Sequence, residues 1–285
     1  MLKVLPVKRE DFEMVYPLLT QIPSPIAIAK ETWRRLFDRQ WDSQIEPLGY
    51  VLMKESEAVG YIGLLTVKRE IDGQRHEIMN LTSWTVKKQY SGHSIKLIFP
   101  FIQDQARTLT CFTPAKSVDV VFRRFGFQEL NSALQVIPFW AMSFGRNDYE
   151  IFFDIAGQRS LLTKEEGQIY NDHRSFSGST HFIIKKAQDH CYVVAKRVLK
   201  KKLPFLHVHY VSDKKLFVQG IKKFVGAICC RSRVLGLIVF EHYLGSQELS
   251  GTIKVRMQSK PLFRSAYLKQ KDMDSLYSEF FVLDF

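Results

Sequence analysis

The segment Gln89–Ser94 combines small and polar residues in a way that suits the binding of a phosphate group. Its sequence, Q-Y-S-G-H-S, follows a strand-like run at 80–86 and precedes a helix-like run at 94–99. The unpaired amides and the positive dipole end of a helix N-terminus attract anions, and Gly92 and Ser94 are small enough to let an anion reach the backbone. We therefore predict a pyrophosphate site formed by Gln89, Tyr90, Ser91, Gly92, His93 and Ser94.

Two further elements follow this segment. The strand-like run Thr108–Thr113 leads into the helix-like run Ser117–Phe125, and Gly126 followed by the apolar Phe127 is a typical helix stop. The spacing Q-x-x-G-x-S satisfies neither the dinucleotide-binding fingerprint nor the P-loop. The pattern therefore predicts a strand, a phosphate-binding turn and a helix, followed by a second strand and helix.

The order and spacing of these phrases resemble the GNAT superfamily of acyl-CoA-dependent N-acetyltransferases. In that family a Q/R-x-x-G-x-G/A turn holds the CoA pyrophosphate, and a later helix ends in a phrase like L-Y-E-K-L-G-F. The matching phrases here are Q-Y-S-G-H-S and, at 121–127, V-F-R-R-F-G-F. The resemblance covers residues 1 to about 144. It implies an α/β (α+β) fold with a mixed, mostly antiparallel sheet flanked by helices, which binds acetyl-CoA or another acyl-CoA and an amine acceptor.

The resemblance also implies roles for individual residues. The strand through Trp84, Thr85 and Val86 would splay from its neighbour and polarise the acyl carbonyl with a backbone amide. Glu77, at the start of that strand, is the candidate base, and the alternative is an ordinary exposed strand-end glutamate. No metal is implied. The implied cofactor-binding residues are Trp84, Thr85, Val86, Gln89, Tyr90, Ser91, Gly92, His93, Ser94, Cys111, Ser117 and Phe122.

Three of these positions need comment. Ser94 replaces the third small residue of the family turn, and Ser is well tolerated at a helix start. Phe122 stands where many family members place the tyrosine that protonates the departing thiolate, and phenylalanine has no proton to give. Another group or water would then serve as the acid, or the domain binds CoA without turnover. Cys111 lies on the strand that lines the family's acyl channel, although buried free cysteine more often acts as a small hydrophobic residue.

The second half of the chain repeats the order of elements in the first. Residues 181–194 match 50–63 as strand, polar turn and strand, and 220–228 match the helix-like 94–102. We therefore predict two GNAT-like domains, at 1–146 and 147–285, that arose by duplication. The second domain has lost its turn, because the segment Lys215–Gly220, K-L-F-V-Q-G, has bulky side chains where a pyrophosphate would lie. Residues 143–147 form the expected joint.

Composition favours a globular protein with a basic surface. The chain has 285 residues and a formal net charge of +12, including the run Lys200–Lys202. No nucleic-acid-binding fingerprint is present, so nucleic acid is not an expected partner. The four cysteines lack disulfide or metal spacing, and His207 and His209 have no evident third ligand. Without a signal sequence or an apolar run long enough to span a bilayer, we expect a cytoplasmic protein.

Three classes of function therefore stay open from the sequence. The first is an acyl-CoA-dependent N-acyltransferase that acts on an amine of a small molecule, sugar or protein. The second is an inactive acyl-CoA-binding or protein-interaction module, which Phe122 and the lost second turn favour. The third is a basic nucleic-acid-binding protein. The identity of the acceptor, the length of the acyl chain and the oligomeric state do not follow from these patterns.

Overall fold

The computed structural model describes residues 1–24, 27–38, 41, 45–130, 133–143, 148–245, 249–257 and 259–283. The described strands are β1 (Leu2–Val7), β2 (Gly49–Lys54), β3 (Glu57–Ile71), β4 (Gln74–Val86), β5 (Thr108–Cys111), β6 (Gln128–Glu129), β7 (Ala133–Pro138), β8 (Glu150–Phe152), β9 (Ser179–Lys186), β10 (Asp189–Lys200), β11 (Leu203–Val211), β12 (Gly236–Phe240), β13 (Ile253–Arg256) and β14 (Leu262–Arg264). The described α-helices are α1 (Phe12–Leu19), α2 (Lys30–Arg34), α3 (Phe99–Ile102), α4 (Lys116–Arg124), α5 (Lys164–His173), α6 (Lys214–Ser232), α7 (Glu241–Leu244) and α8 (Glu279–Val282). Short 3₁₀ helices occur at Arg9–Asp11, Lys88–Leu97, Phe139–Ala141, Arg159–Leu161 and Gln270–Asp272.

The strands form two seven-stranded sheets with the same internal order. The first sheet is ordered β1-β2-β3-β4-β5-β14-β6, and the second, from its other end, β8-β9-β10-β11-β12-β7-β13. In each sheet the fourth and fifth strands are parallel, and all the other neighbours are antiparallel. The predicted fold class, a mixed and mostly antiparallel sheet flanked by helices and present twice, is therefore confirmed.

The predicted hairpins form because their sequences alternate apolar and β-branched residues around short polar turns. In the first hairpin β2 and β3 pair across Glu55–Ser56, with Glu55 in the left-handed region at φ 56°. In the second, β9 and β10 pair across Ala187–Gln188, with Ala187 at φ 53°. The two hairpins therefore share their turn geometry as well as their position in each sheet.

The sixth strand of each sheet comes from the other half of the sequence. The chain divides into unit 1, residues 1–130, 259–273 and 277–285, and unit 2, residues 131–258 and 274–276. This division differs from the predicted one at 146/147, because β7 pairs with β12 and β13, and β14 pairs with β5 and β6. Residues 144–147 of the expected joint lie outside the described residues. Local patterning predicts that a strand forms but not which sheet receives it.

Each unit has its own apolar core. In unit 1, β3–β5 contribute Leu64, Leu81 and Leu109, which pack with Phe101 and Phe122 of α3 and α4. The core of unit 2 forms where the long helix α6 covers its sheet, and its buried residues include Phe182, Val208, Phe217, Ile221 and Leu237. Among the described helices, none is long and apolar enough to cross a membrane.

Candidate functional site

The two parallel strands of unit 1 separate part way along their length. The β4–β5 pairing comprises Ile78 with Thr108, Met79 with Leu109 and Asn80 with Thr110. β4 continues to Val86, and no described residue of β5 pairs with it beyond Asn80. The edge of β4 from Leu81 to Val86 is therefore left open on the β5 side, as the resemblance implied for the strand through Trp84.

A β-bulge interrupts β4 within this open stretch. Tyr61 of β3 faces Thr85 and Gly63 faces Thr82, so that two residues of β4, Ser83 and Trp84, oppose one residue of β3. Ser83 has φ 54°, in the left-handed region that non-glycine residues rarely adopt. A bulge redirects side chains and backbone groups, and bulges are frequent beside active sites. The bulge therefore lies in the part of β4 that extends beyond its pairing with β5.

The Trp84 side chain presents a buried hydrogen-bond donor in this region. Its Nε1–H is buried and has no acceptor among the residues that the structure describes. The indole ring lies against Phe122, with 5.4 Å between ring centroids, and Phe122 stacks on Phe127 at 4.6 Å. A buried donor without an acceptor costs free energy unless a ligand supplies one. Phe122 is 1% exposed and lies within the core, where it offers only apolar contact.

The predicted phosphate-binding turn has a different local structure from the one expected. Residues Gln89–Ser94 lie inside the 3₁₀ helix Lys88–Leu97, and the next α-helix, α3, has four residues. The predicted helix at 94–99 is therefore wrong in type. Pro100 lies in the first turn of α3 and has no amide hydrogen, so it cannot continue an α-helix that begins at Ser94.

The segment nevertheless keeps an open, polar surface. Gln89, Ser91, Gly92 and His93 are exposed, and Ser94 and Tyr90 are half-buried. A Cβ atom added to Gly92 would meet no atom within 4 Å. Lys54 Nζ lies 5.6 Å from the centroid of the Tyr90 ring, and the hydrogen bond to Tyr90 raises the pKa of Lys54. Among the described residues, none therefore occupies the space next to Gly92.

The other predicted site residues fall in different environments. Thr85 and Val86 are half-buried on β4, and Ser117 is exposed in the first turn of α4. Cys111 is buried, and burial, with a smaller contribution from the charge of Glu279, raises the pKa of its thiol well above the usual range. A thiol held in this protonated form is a poor nucleophile.

Glu77, the predicted base, is held by an ion pair outside the open stretch. Its Oε1 atom lies 3.3 Å from Arg107 Nε, and both side chains are about one-third exposed. Glu77 precedes the three paired rungs, whereas the strands diverge after them. The structure therefore does not bring Glu77 to the diverging ends of β4 and β5.

A different carboxylate lies at the point of divergence. Asn80 Nδ2 donates to Glu279 Oε2 at 2.6 Å, and Thr113 Oγ1, just beyond β5, donates to Glu279 Oε1 at 2.5 Å. Thr110 Oγ1 donates to Asn80 Oδ1 at 3.2 Å, so the last paired rung holds the amide in place. Asn80 lies on the sheet face opposite Met79 and Leu81, away from the α3–α4 core.

Burial raises the pKa of Glu279, although its hydrogen bonds to Thr113 and Asn80 partly oppose this effect. The side chain is 1% exposed, and the hydrogen bonds that it accepts from Asn80 and Thr113 come from neutral groups. Sequence reasoning missed this residue because Asn80 and Glu279 are 199 positions apart. The one available signal was that this acidic residue directly precedes the apolar run F-F-V-L.

The corresponding strands of unit 2 also diverge, with different residues around them. β11 and β12 pair only at Leu206–Leu237 and His207–Ile238 among the described residues, and a bulge leaves His209 unopposed by β10. Tyr243 Oη donates to the His209 carbonyl at 2.6 Å, and His209 Nδ1 lies 2.8 Å from Ser275 Oγ. Within the described residues no three His, Cys, Asp or Glu side chains are grouped as metal ligands.

The second turn, predicted to have lost its phosphate site, is the start of a helix. Residues 215–220 belong to α6, and Leu216 and Phe217 are buried. The Asp213 carboxylate accepts a hydrogen bond from the Leu216 amide at 2.8 Å. This cap places a negative charge where an anion would otherwise approach the first amides.

Comparison with solved structures identifies the fold. The chain is similar to a GCN5-related N-acetyltransferase from Anabaena variabilis (13% identity, TM-score 0.61), covering 92% of this chain and 72% of that one. It is also similar to a conserved protein of unknown function from Enterococcus faecalis (12% identity, TM-score 0.60), and the match covers 95% of this chain and 74% of that one. A GCN5-related N-acetyltransferase from Kribbella flavida is similar as well (13% identity, TM-score 0.58), with 92% of this chain and 70% of that one covered.

These similarities define the class of structure. The chain has the GNAT fold, and the two repeated sheets form a tandem arrangement of that fold, as the sequence resemblance implied. No protein-family model matches the chain, and no curated protein resembles it at a significant level. At these identities the solved structures define the fold alone.

Proposed function

We propose that the protein is an acyl-CoA-dependent N-acyltransferase whose acyl-CoA binds between the diverging β4 and β5 of unit 1. The observation that carries the proposal is the open, bulged edge of β4 at Ser83–Trp84 on a GNAT fold. Acyl-CoA would supply an activated thioester. Backbone amides of the bulged strand could polarise its carbonyl, and the buried Trp84 Nε1–H could donate to a thioester or pantetheine oxygen.

We propose that the pyrophosphate of acyl-CoA binds at Gln89–Ser94, although this segment is part of a 3₁₀ helix and not a turn before an α-helix. The open space above Gly92, the exposed Ser91 and His93 and the preceding Lys88 supply room, donors and positive charge. Lys87 is the less suitable cation, because it forms an ion pair with Glu57. A basic field over this surface would also attract the phosphates of CoA.

We propose Glu279 as the proton acceptor for the attacking amine. Among the described residues, Glu279 accepts hydrogen bonds from the neutral side chains of Asn80 and Thr113, and its burial makes it a stronger base than an exposed carboxylate. The substrate ammonium gives one proton to Glu279, and the resulting amine nitrogen forms a bond to the acyl carbon. The carbon–sulfur bond then breaks as the nitrogen releases its second proton to water. Water would protonate the leaving thiolate, because Phe122 has no proton to donate.

One observation favours a second candidate, an acyl-CoA-binding protein without turnover. Phe122 is fully buried against Trp84 and Phe127, so no hydroxyl group occupies the position that the family uses for its acid. Such a protein would bind acyl-CoA but release no free thiol in the presence of amines. Assays of binding and of thiol release therefore separate the two candidates.

The first test is thermal unfolding of the protein with and without acetyl-CoA. Binding to the native state stabilises it by about 2.7 kcal/mol at a hundredfold excess over Kd, which corresponds to a rise in Tm of about 5 °C or more. Gly92→Trp should leave the Tm of the free protein unchanged, because the added side chain enters open space, and should abolish the rise.

Gly167→Trp in α5 is the matched control. An added Cβ there also meets no atom within 4 Å, and the residue belongs to unit 2. The variant should keep the full shift. A wild-type Tm that does not respond to millimolar acetyl-CoA, or an equal shift in Gly92→Trp, would contradict the proposed site.

A further inference from the structure

Three exposed segments of unit 2 meet at one end of its sheet, and we call this surface the basic tip. It comprises the β10–β11 hairpin end at 197–203, the end of α6 with the loop that follows it at 231–235, and the residues Phe139–Trp140. The Leu235 amide donates to the Pro204 carbonyl at 2.9 Å, and the Phe139 amide donates to the Leu235 carbonyl at 3.0 Å. These two hydrogen bonds fix the three segments side by side.

The basic tip carries positive charge without any negative charge. Its basic residues are all exposed, and they are Arg197, Lys200, Lys201, Lys202, Arg231 and Arg233. The three segments contain no aspartate or glutamate. The six basic residues of the basic tip carry a formal charge of +6, which is half the size of the formal net charge of the whole chain, +12.

Large apolar side chains stand among these cations. Trp140 is 63% exposed, Leu199 60% and Leu203 50%, and Phe139 and Leu235 are also exposed. The Phe139 and Trp140 rings meet edge to face, with 5.1 Å between centroids. Single exposed apolar side chains are common on protein surfaces, but a cluster of them usually marks an interaction surface.

Two lysines of the hairpin end have an unfavourable backbone conformation. Lys201 and Lys202 both adopt positive φ, 51° and 68°, in the two-residue turn between paired Lys200 and Leu203. Turns of this kind favour glycine, which has no Cβ to approach the following carbonyl oxygen, and asparagine, whose short polar side chain can form a local hydrogen bond. Two lysines at these positions supply charge that the turn itself does not need.

We propose that the basic tip docks unit 2 on the surface of an anionic lipid bilayer. Lysine and arginine are attracted to anionic headgroups, while tryptophan, phenylalanine and leucine partition into the boundary between headgroups and acyl chains. Nucleic acid is the less suitable partner, because the exposed leucines would gain nothing from a phosphate backbone. This inference is independent of the proposed acyl transfer.

Co-sedimentation of the full chain with vesicles tests the proposal. We expect binding to phosphatidylcholine vesicles that contain about one quarter phosphatidylglycerol, and none to phosphatidylcholine alone. Binding should weaken in about 0.5 M salt, where charge attraction is screened. The emission of Trp140 should shift to shorter wavelength on binding, and Trp140→Phe should remove that shift.

Two sets of variants separate charge from apolar contact. The triple variant Lys200→Gln, Lys201→Asn and Lys202→Asn suits the turn, and it should lower the partition coefficient about a hundredfold, because each basic residue contributes roughly fivefold. The double variant Leu199→Ser and Trp140→Ser should lower it at least about tenfold while the salt dependence remains. Circular dichroism establishes that both sets fold.

The matched control is Lys3→Gln, Lys8→Gln and Lys68→Gln, which removes three exposed charges from unit 1. It should bind vesicles like the wild type. An equal loss in this control, absence of binding to anionic vesicles, or binding of a single-stranded oligonucleotide without vesicle binding would each overturn the proposal. The last outcome would assign the basic tip to nucleic acid.

Discussion

At the scale of single residues, burial and charge partners separate the two candidate bases. Glu77 is partly exposed and neutralised by Arg107, whereas Glu279 is buried and bonded to Asn80 and Thr113. An arginine partner stabilises the charged form of a carboxylate, but burial destabilises it and makes the group more basic. The sequence could propose Glu77 because it lies on β4, but could not place Glu279, whose contacts depend on the return of the chain to unit 1.

We expect Glu279→Gln to reduce kcat for acyl transfer by roughly 10²- to 10⁴-fold, the range typical of a lost general base. In the wild type, kcat/KM should rise with pH through the raised pKa of Glu279 and level off above it, because the carboxylate form is the active one. Steady-state rates measured across pH check both expectations, and the rise should be missing in the variant.

The control for this experiment is Glu77→Gln. It removes a partly exposed carboxylate that is paired with Arg107, and it should change kcat no more than a few-fold. A Glu279→Gln enzyme that keeps the wild-type pH profile at a lower rate would show that Glu279 supports the fold of the site without accepting the proton.

At the scale of elements, the hairpins were predictable and the strand exchange was not. β2–β3 and β9–β10 pair with neighbours in the sequence, so alternating patterns and turns are sufficient to predict them. β7 and β14 have the same kind of pattern but pair with distant strands. The 3₁₀ helix at 88–97 was also missed, because the effect of Pro100 depends on where α3 begins.

Arg264 on β14 forms the hydrogen bonds that we expect to anchor this strand in unit 1. Its guanidinium donates to the carbonyls of Ile102 at 2.8 Å, Asp104 at 3.1 Å and Phe125 at 3.4 Å, near the C-terminal ends of α3 and α4. Arg264→Leu would leave buried carbonyls without a donor and should lower the free energy of unfolding by about 2–4 kcal/mol. Urea unfolding measures the change.

Arg256→Leu on β13 provides the comparison. Arg256 is exposed, and a surface change of this kind should stay within about 0.5 kcal/mol. If both variants lose the same stability, the hydrogen bonds from Arg264 to the helix ends do not anchor β14.

At the scale of the whole molecule, buried titratable groups are distributed unequally between the two units. Burial lowers the pKa of His181, His207 and His242 in unit 2 to about 3 and also depresses that of His209. These groups stabilise the fold above pH 6.5, and the contribution is lost as pH falls from 6.5 toward 3, because the unfolded chain then binds more protons. The raised pKa of Glu279 in unit 1 has the opposite effect on stability, because the stabilising contribution of this group is lost as pH rises.

We therefore expect unit 2 to open before unit 1 when the protein is acidified. Amide hydrogen exchange followed by mass spectrometry between pH 7 and about pH 4 would show protection lost first in β10 and β11 and later in β3 and β4. Replacing His207 by Gln should move the opening of unit 2 to lower pH. Simultaneous loss of protection in both units would contradict this order.

The exchanged strand β14 also has a consequence for synthesis on the ribosome. β5 is translated about 150 residues before β14, its neighbour in the sheet. At roughly 5–20 residues per second, the nascent first sheet waits about 8–30 s with β5 as an exposed edge. An unpaired edge is a template for aggregation, so this interval is the time at which a chaperone would protect the growing chain most effectively.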